Sequence, residues 1–252
     1  MTIIASKRLW ELDIIRFIAL ICMMIQHSVI IWLYIFAGGL VEYSEMISRI
    51  GRMGALLFLF LVGFSGYISY TKRSVRNDFT ALQKHFMFRG LTVLAWGVVV
   101  SVASFMVIPS DAIWFGVLSF IGMAIITLPF FIRYKWLSIS MIFISLVIGA
   151  TTPFVKVNTL MWLPLGVQPW PFYSLDYWPY FPWISLVLSG VEVARALNTS
   201  PKFGTLLFSD DMPTVLRPVQ WMGSHTLALY LLHVPIIAGF FWILQRLSAS
   251  IK

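Results

Sequence analysis

Long apolar runs separated by short polar segments are the feature that most constrains what this chain of 252 residues can fold into. A bilayer core of about 30 Å needs about 20 apolar residues in each helix that crosses it. The pattern therefore predicts an all-α, polytopic integral membrane helix bundle with about seven transmembrane helices, within a range of six to eight. The seven runs are Ile14 to Ala37, Met53 to Tyr70, Phe88 to Val107, Ile113 to Phe131, Trp136 to Ala150, Phe181 to Ala196 and Val219 to Leu247.

The composition excludes a soluble protein. Charged residues make up 11% of the chain, whereas soluble domains carry about 25%. Apolar residues account for 60%, so too few polar side chains remain to cover a globule. No internal repeat, low-complexity segment or Gly/Ser linker divides the chain, which predicts a single domain over residues 1–252.

The stretch from Asn158 to Tyr180 is too rich in proline for a straight helix. It contains Pro164, Pro169 and Pro171 together with several tryptophans. Tryptophan is enriched where membrane and water meet. We therefore expect an interfacial loop or a re-entrant segment here.

Basic residues at the ends of the runs predict the orientation, because they collect on the cytoplasmic side. Seven helices with a cytoplasmic amino terminus put 13 basic residues inside and five outside, with the carboxyl terminus outside. An eighth helix between Asn158 and Tyr180 would reverse everything after it. We expect a multi-pass protein of the cell (plasma or inner) membrane. The inner set is Lys7, Arg8, Arg16, Lys72, Arg73, Arg76, Lys84, Arg89, Arg133, Lys135, Arg195, Lys202 and Arg217, and the outer set is Arg49, Arg52, Lys156, Arg246 and Lys252.

Charge and cysteine content exclude several kinds of partner and site. The net charge of +8 comes from basic residues scattered between apolar runs, which does not indicate a nucleic-acid-binding protein. Cys22 is the one cysteine, so the chain can form no internal disulfide. His225 and His233 are eight residues apart, about 80° around a helix, and do not indicate a zinc site. No metal is predicted.

Asp13, just before the first run, and Arg16 and His27 within it are candidate catalytic residues, since ionisable side chains in a membrane helix are costly. The 11-residue step from Arg16 to His27 returns to within about 20° of one direction, and the 14-residue step from Asp13 to within about 40°. His27 lies about 16 Å beyond Arg16 along the axis. An alternative is that Asp13 and Arg16 form an interfacial ion pair while His27 only bonds a neighbouring helix.

The polar segment from Thr71 to Gly90 is a candidate anion site. Arginine and lysine at a helix entrance bind phosphates by charge and hydrogen bonds. Topology and attraction to anionic lipids explain the same charges. Its basic residues are Lys72, Arg73, Arg76, Lys84 and Arg89. Asp176 is a fourth candidate catalytic residue. It lies among aromatic residues in SLDYWPYFPW, a combination that suits a sugar or hydroxyl acceptor, although an aromatic belt explains the Trp and Tyr residues equally well.

These motifs, in this order, form a recognisable series. The segment RLWELDIIRFIALICMMIQH resembles the opening signature of the heparan-alpha-glucosaminide N-acetyltransferase-like membrane proteins, within the transmembrane acyltransferases. The resemblance covers nearly the whole chain. Two positions depart from it, since Phe17 stands where relatives have Gly and Ser119 where they often have His. The further matching segments are LFLFLVGFSGYISYTKR, FRGLTVLAWG, IWFGVLSFIGMAII, SLDYWPYFPWISLVLSG and WMGSHTLALYLLHVPI.

The resemblance implies transfer of an acetyl group from cytoplasmic acetyl-CoA to a glycan or other envelope acceptor on the outer side. It implies that His27 is the central catalytic residue, and we expect Asp13 and Arg16 to orient it. The basic segment would hold the CoA phosphates, while a pantetheine arm of roughly 20 Å enters the bundle, a length similar to the rise from Arg16 to His27. We expect His225 and His233 to matter less. A small transporter using the same polar stripe is the alternative, and a homodimer is left open.

Overall fold

The computed structural model describes residues 9–36, 41–155, 157–199 and 212–250. Five basic residues used in the orientation argument lie outside these ranges: Lys7, Arg8, Lys156, Lys202 and Lys252. Helices dominate, and the described ranges contain no β-strand beyond an isolated bridge between Val157 and Pro169. The eight α-helices of these ranges are α1 (Trp10–Phe36), α2 (Val41–Ser74), α3 (Phe79–Val107), α4 (Val117–Arg133), α5 (Lys135–Thr151), α6 (Tyr180–Thr199), α7 (Arg217–Ser224) and α8 (Thr226–Ser250).

Helices cover most of each of the seven apolar runs, which confirms the all-α membrane fold class. Five helices are long and apolar enough to cross a bilayer, namely α1, most of α2, α3, Lys135–Phe154 and Thr226–Ser248. The molecule is an integral, multi-pass membrane protein. The α4 helix has only 17 residues, about 25 Å at 1.5 Å per residue. The count of seven spans and the orientation stay predictions.

The structure bears on two expectations from the sequence, one for the proline-rich segment and one for the last apolar run. From 157 to 179 the chain forms one 3-10 helix, Leu160–Leu165, and otherwise has irregular structure, as its prolines predict. The last apolar run was expected to be one helix from Val219, but the structure interrupts it at His225. The short α7 ends there and the long α8 begins at Thr226.

The described residues form two compact units, named here for their places in the sequence. The central unit contains residues 59–155 and 157–199, and the terminal unit contains 9–36, 41–58 and 212–250. The division falls within α2, after Phe58. The assignment of one domain to the whole chain stays a prediction.

In the central unit, α4 forms the core. It packs against α3, α5 and α6, and most of its residues are buried, including Phe120 and Ala124. Gly90 and Gly122 allow α3 and α4 to approach closely, since a Cβ at Gly122 would lie 2.6 Å from the backbone nitrogen of Leu94. Small residues at such contacts replace the hydrophobic driving force that lipid cannot supply.

In the terminal unit, α1 packs against α7 and α8. A Cβ at Gly223 of α7 would lie 1.8 Å from the backbone oxygen of Asp13, so only glycine allows this approach. Farther along α1, Gln245 of α8 donates a hydrogen bond to the carbonyl of Ile35. The α7 and α8 helices therefore contact α1 near its beginning and near its end.

Candidate active site

The first turn and a half of α1 holds an ion pair. Arg16 Nη1 lies 2.5 Å from Asp13 Oδ1, and the Asp13 side chain is buried. The three-residue spacing puts both side chains on neighbouring positions of the helix surface. The ion pair considered from the sequence is therefore present in the structure. Orientation of His27 by this pair stays a prediction.

His27 lies against a second histidine, which α8 supplies. Its Nδ1 is 2.9 Å from Nε2 of His233, and the two ring centroids are 4.9 Å apart. His233 is buried, with 3% of its surface exposed, while His27 is half-buried. The Tyr230 ring meets His27 edge-on, with centroids 6.5 Å apart. All three residues belong to the terminal unit.

The backbone fixes which nitrogen of each ring carries the proton. His233 Nδ1 lies 2.5 Å from the carbonyl oxygen of Tyr230, and a carbonyl only accepts hydrogen bonds. His233 therefore donates from Nδ1, which leaves Nε2 of its neutral ring as an acceptor. His27 must then donate from Nδ1 to that acceptor.

This chain of hydrogen bonds leaves the lone pair of His27 Nε2 available. Within the described residues, no hydrogen bond engages that nitrogen. A neutral imidazole with one nitrogen fixed as donor and the other unengaged can take a proton or attack a carbonyl. The hydrogen bonds of His233 thus hold the His27 ring in one orientation and one tautomer.

The pairing of His27 with His233 did not follow from the sequence pattern. A helical wheel relates residues of one helix, whereas these two residues are 206 positions apart. One available signal was that a histidine in an apolar segment such as YLLHVPI needs a polar partner. His225, by contrast, is exposed beyond the end of α7, where its ring contacts Ser224 and the carbonyl of Trp221.

The five predicted anion-binding residues all lie in the central unit, around the turn that joins α2 to α3. Asp78 begins α3 by accepting a hydrogen bond from the backbone of Ala81. Arg73 lies close enough to Arg89 for their charges to repel. No carboxylate within the described ranges pairs with Arg73, Arg76, Lys84 or Arg89. These residues retain unneutralised charge with which to bind an anion.

Asp176 anchors the beginning of α4. Its Oδ2 accepts a hydrogen bond from the backbone of Val117 at 2.9 Å, and its Oδ1 accepts one from Trp178 Nε1 at 2.6 Å. Burial raises the pKa of Asp176, and these two hydrogen bonds oppose the rise. The Trp178 backbone also bonds the carbonyl of Phe115, whose φ of 52° is left-handed. Both oxygens of Asp176 thus hold local structure.

Tyr177, beside Asp176, also ties the irregular segment together. Its hydroxyl donates to the carbonyl of Leu163 at 2.8 Å. Burial raises the pKa of Tyr177 to about 12, so the phenol stays protonated at neutral pH. It therefore remains a donor that holds the 3-10 helix Leu160–Leu165 against this segment.

Ser119 occupies a tight contact between α3 and α4. Its side chain is buried, and a Cβ at Gly97 would lie 2.5 Å from Ser119 Oγ and 2.7 Å from its backbone nitrogen. An imidazole is much larger than a hydroxymethyl group and would overlap α3 here. Position 119 therefore serves helix packing in this chain.

Comparison with known proteins gives one finding. The model of the family described as "Heparan-alpha-glucosaminide N-acetyltransferase, catalytic" matches residues 8–235. No curated protein and no solved structure matches the chain. Within the described residues, no three His, Cys, Asp or Glu side chains come together as a metal site requires. The matched segment includes α1 and His233, the two parts of the histidine pair.

Proposed function

Because the chain belongs to the heparan-alpha-glucosaminide N-acetyltransferase catalytic family, we propose that it moves an acetyl group from cytoplasmic acetyl-CoA to a sugar amine or hydroxyl on the outer side of the membrane. The family makes the chain a member of an acetyltransferase group. The donor, the acceptor and the sides of the membrane are the proposal. The observation that carries it is the hydrogen-bonded pair of His27 and His233.

In one route His27 acts as a general base. The acceptor nitrogen or oxygen attacks the thioester carbon, and its proton passes to His27 Nε2. The C–S bond then breaks, and the CoA thiolate leaves and takes up the proton from His27. His233 supports the cationic ring of His27, because it accepts the Nδ1–H hydrogen bond throughout.

In the other route His27 carries the acetyl group. Nε2 attacks the thioester carbon, the C–S bond breaks, and CoA leaves as thiolate. The acetylated ring gives up its Nδ1 proton, which the departing thiolate takes up by way of solvent or His233. The acceptor then attacks the acetyl carbon, and the bond between that carbon and Nε2 breaks. The acceptor's proton passes to Nδ1 of the departing ring by way of solvent or His233, which returns His27 to its first state.

The donor site is proposed at the five basic residues around the α2–α3 turn. Acetyl-CoA carries several phosphate charges, and arginine and lysine bind phosphate through charge-assisted hydrogen bonds. Four of these side chains have no carboxylate partner in the described part of the chain, which supports the proposal. They are able to bind phosphate without first breaking an ion pair.

Asp13, Arg16 and Asp176 are proposed in supporting roles. Asp13 and Arg16 neutralise one another at the start of α1, and we propose that they keep the polar side of α1 turned toward α7. The hydrogen bonds of Asp176 engage both of its oxygens. We therefore propose that it positions the loop and α4 on the acceptor side and does not contact reacting atoms.

The test replaces His27 by alanine in the full-length protein in proteoliposomes. Removal of a general base should lower transfer of acetyl groups by about 10²- to 10⁴-fold, while acetyl-CoA binding and the thermal midpoint stay near wild type. Labelled acetyl trapped on wild-type protein without acceptor would identify the carrier route. His225→Ala is the matched control, because His225 is exposed and its ring contacts Ser224 and the carbonyl of Trp221 rather than His27 or His233. Full transfer by the His27 variant would refute the assignment.

A proton or solute pathway is the second candidate, since two hydrogen-bonded histidines inside a membrane also suit proton movement. Proteoliposomes distinguish the two functions. Proton flux that needs His27 but neither acetyl-CoA nor acceptor would support the pathway, and acetyl transfer without such flux would support the enzyme.

A further inference from the structure

Arg133, in the last turn of α4, lies over an aromatic ring. Its guanidinium carbon lies 4.4 Å from the centroid of Phe79 and 5.5 Å from that of Tyr134. Phe79 in turn meets Phe130 edge-on at 5.8 Å. A cation–π contact of this kind holds the guanidinium in place. The Arg133 side chain is exposed, so its five N–H donors are accessible to a ligand.

Among the residues that the structure describes, no carboxylate neutralises the charge of Arg133. No carboxylate or carbonyl in the described ranges takes an ion pair or hydrogen bond from its side chain. The acceptors at this end of α4 are engaged by a different arginine, Arg195. It pairs with Glu192 at 3.1 Å and donates to the carbonyls of Phe131 and Ile132, so it already satisfies acceptors at the end of α4.

The hydroxyl of Tyr70 lies within range of the charge of Arg133. Tyr70 of α2 is half-buried, and the charges of Arg133 and Arg195 both act on its hydroxyl. Tyr70 also packs near Phe86, with centroids 6.3 Å apart. A guanidinium with a hydroxyl donor within range of its charge is suited to oxygen atoms arranged around a phosphorus.

Other basic residues at this end of the central unit also favour the binding of an anion. Arg73, Arg89 and His85 lie close enough together for their charges to interact. The nearby acids are already used, since Glu192 pairs with Arg195 and Asp78 caps α3. An anion arriving here meets excess positive charge.

We propose that Arg133 and the Tyr70 hydroxyl bind a phosphate ester group at the end of the central unit where α4 meets α5. The proposal rests on the proposed function where that phosphate belongs to CoA. A phospholipid headgroup presents the same chemistry to the same donors. In both cases the planar fork of Arg133 contacts phosphate oxygens directly, and Tyr70 adds one hydrogen bond.

The experiment uses purified full-length protein and four variants, with thermal midpoints to establish folding. Arg133→Gln removes the charge, Arg133→Lys keeps the charge without the fork, and Tyr70→Phe removes only the hydroxyl. Lys135→Gln is the matched control, because Lys135 is a cation two positions away that also lies near an aromatic ring, 5.9 Å from that of Trp136. CoA affinity is measured by titration. Native mass spectrometry measures how much phosphatidylglycerol stays bound to the protein, compared with phosphatidylcholine.

A CoA phosphate predicts at least about tenfold weaker CoA binding for Arg133→Gln, a smaller loss for Arg133→Lys and Tyr70→Phe, and less than about twofold for Lys135→Gln. A lipid phosphate predicts unchanged CoA binding but loss of retained phosphatidylglycerol in the same order. Wild-type behaviour of Arg133→Gln in both measurements, or equal losses in Lys135→Gln, overturns the proposal. Should the wild type bind no CoA, the proposed donor fails and the lipid measurement still decides for Arg133.

Discussion

Replacement of His233 tests whether the second histidine holds the first in its reactive form. His233→Leu removes the acceptor that lies 2.9 Å from His27 Nδ1 in a position only 3% exposed. A buried donor left without its partner costs about 1 to 3 kcal/mol. If that cost falls on the reacting state, the transfer rate drops by about 5- to 150-fold, since 1.36 kcal/mol is a factor of ten.

His233→Gln provides the matched control, because an amide oxygen is able to accept the same hydrogen bond. We expect it to recover most of the rate that His233→Leu loses. The assay measures acetyl transfer at saturating acetyl-CoA, together with acetyl-CoA affinity and the thermal midpoint. A positioning role lowers the rate and leaves the affinity unchanged.

The double variant decides whether the two histidines act together. His27→Ala combined with His233→Leu should be no slower than His27→Ala alone, because a positioning residue has nothing left to position. Full activity of His233→Leu would refute the reasoning. Equal loss in the Gln and Leu variants, with both folded, would refute it too, since hydrogen bonding would then be irrelevant.

Further predictions follow from other parts of the molecule. A cysteine at Arg76, in a background without native cysteine, should react only from the cytoplasmic side, and labelling from outside would reverse the orientation. Neutralising two of the five donor-site cations should weaken acetyl-CoA binding, as should added salt; indifference to both would leave them as topology signals. Burial raises the pKa of Asp176, so its stabilising contribution is greatest below the unfolded pKa near 3.8 and declines as the pH rises through the folded pKa. The thermal midpoint of Asp176→Asn should therefore rise relative to that of the wild type as the pH increases. The opposite trend would mean that the hydrogen bonds of Asp176 affect its pKa more than burial does. Gly97→Ala should destabilise by about 1 to 3 kcal/mol, since its Cβ would meet Ser119 at 2.5 Å, whereas Gly239→Ala, with open space around it, should not; equal midpoints would contradict the tight contact.

The apolar runs predicted the helices because membrane insertion depends on the local sequence. A segment of about 20 apolar residues becomes a helix in lipid whatever its neighbours are, since every backbone group must be satisfied within the segment. Hydropathy did not predict the helix break at His225, because the apolar run from Val219 continues through that residue. The family was also within reach of the sequence, since the match over residues 8–235 confirms the motif resemblance.

The sequence predicted the part of the candidate site that lies on one helix, but not the contacts between helices. Asp13, Arg16 and His27 share one helix, so their spacing was enough to group them. Ser119 was noted as a departure from relatives, but its packing against Gly97 depends on how closely two helices approach. The sequence indicated only that Arg133 is a basic residue at the end of an apolar run. Its contact with the Phe79 ring depends on the tertiary structure.

The sequence by itself determined what is local: apolar helices in a membrane, cations at their ends, and a histidine on the polar side of α1. The tertiary structure alone decided which side chains from distant segments meet. Helix periodicity specifies directions within one helix, whereas the contact of His27 with His233 joins positions 206 residues apart. Such contacts depend on which helices become neighbours and how small residues such as Gly223 let them approach. No pattern within a single helix encodes that choice.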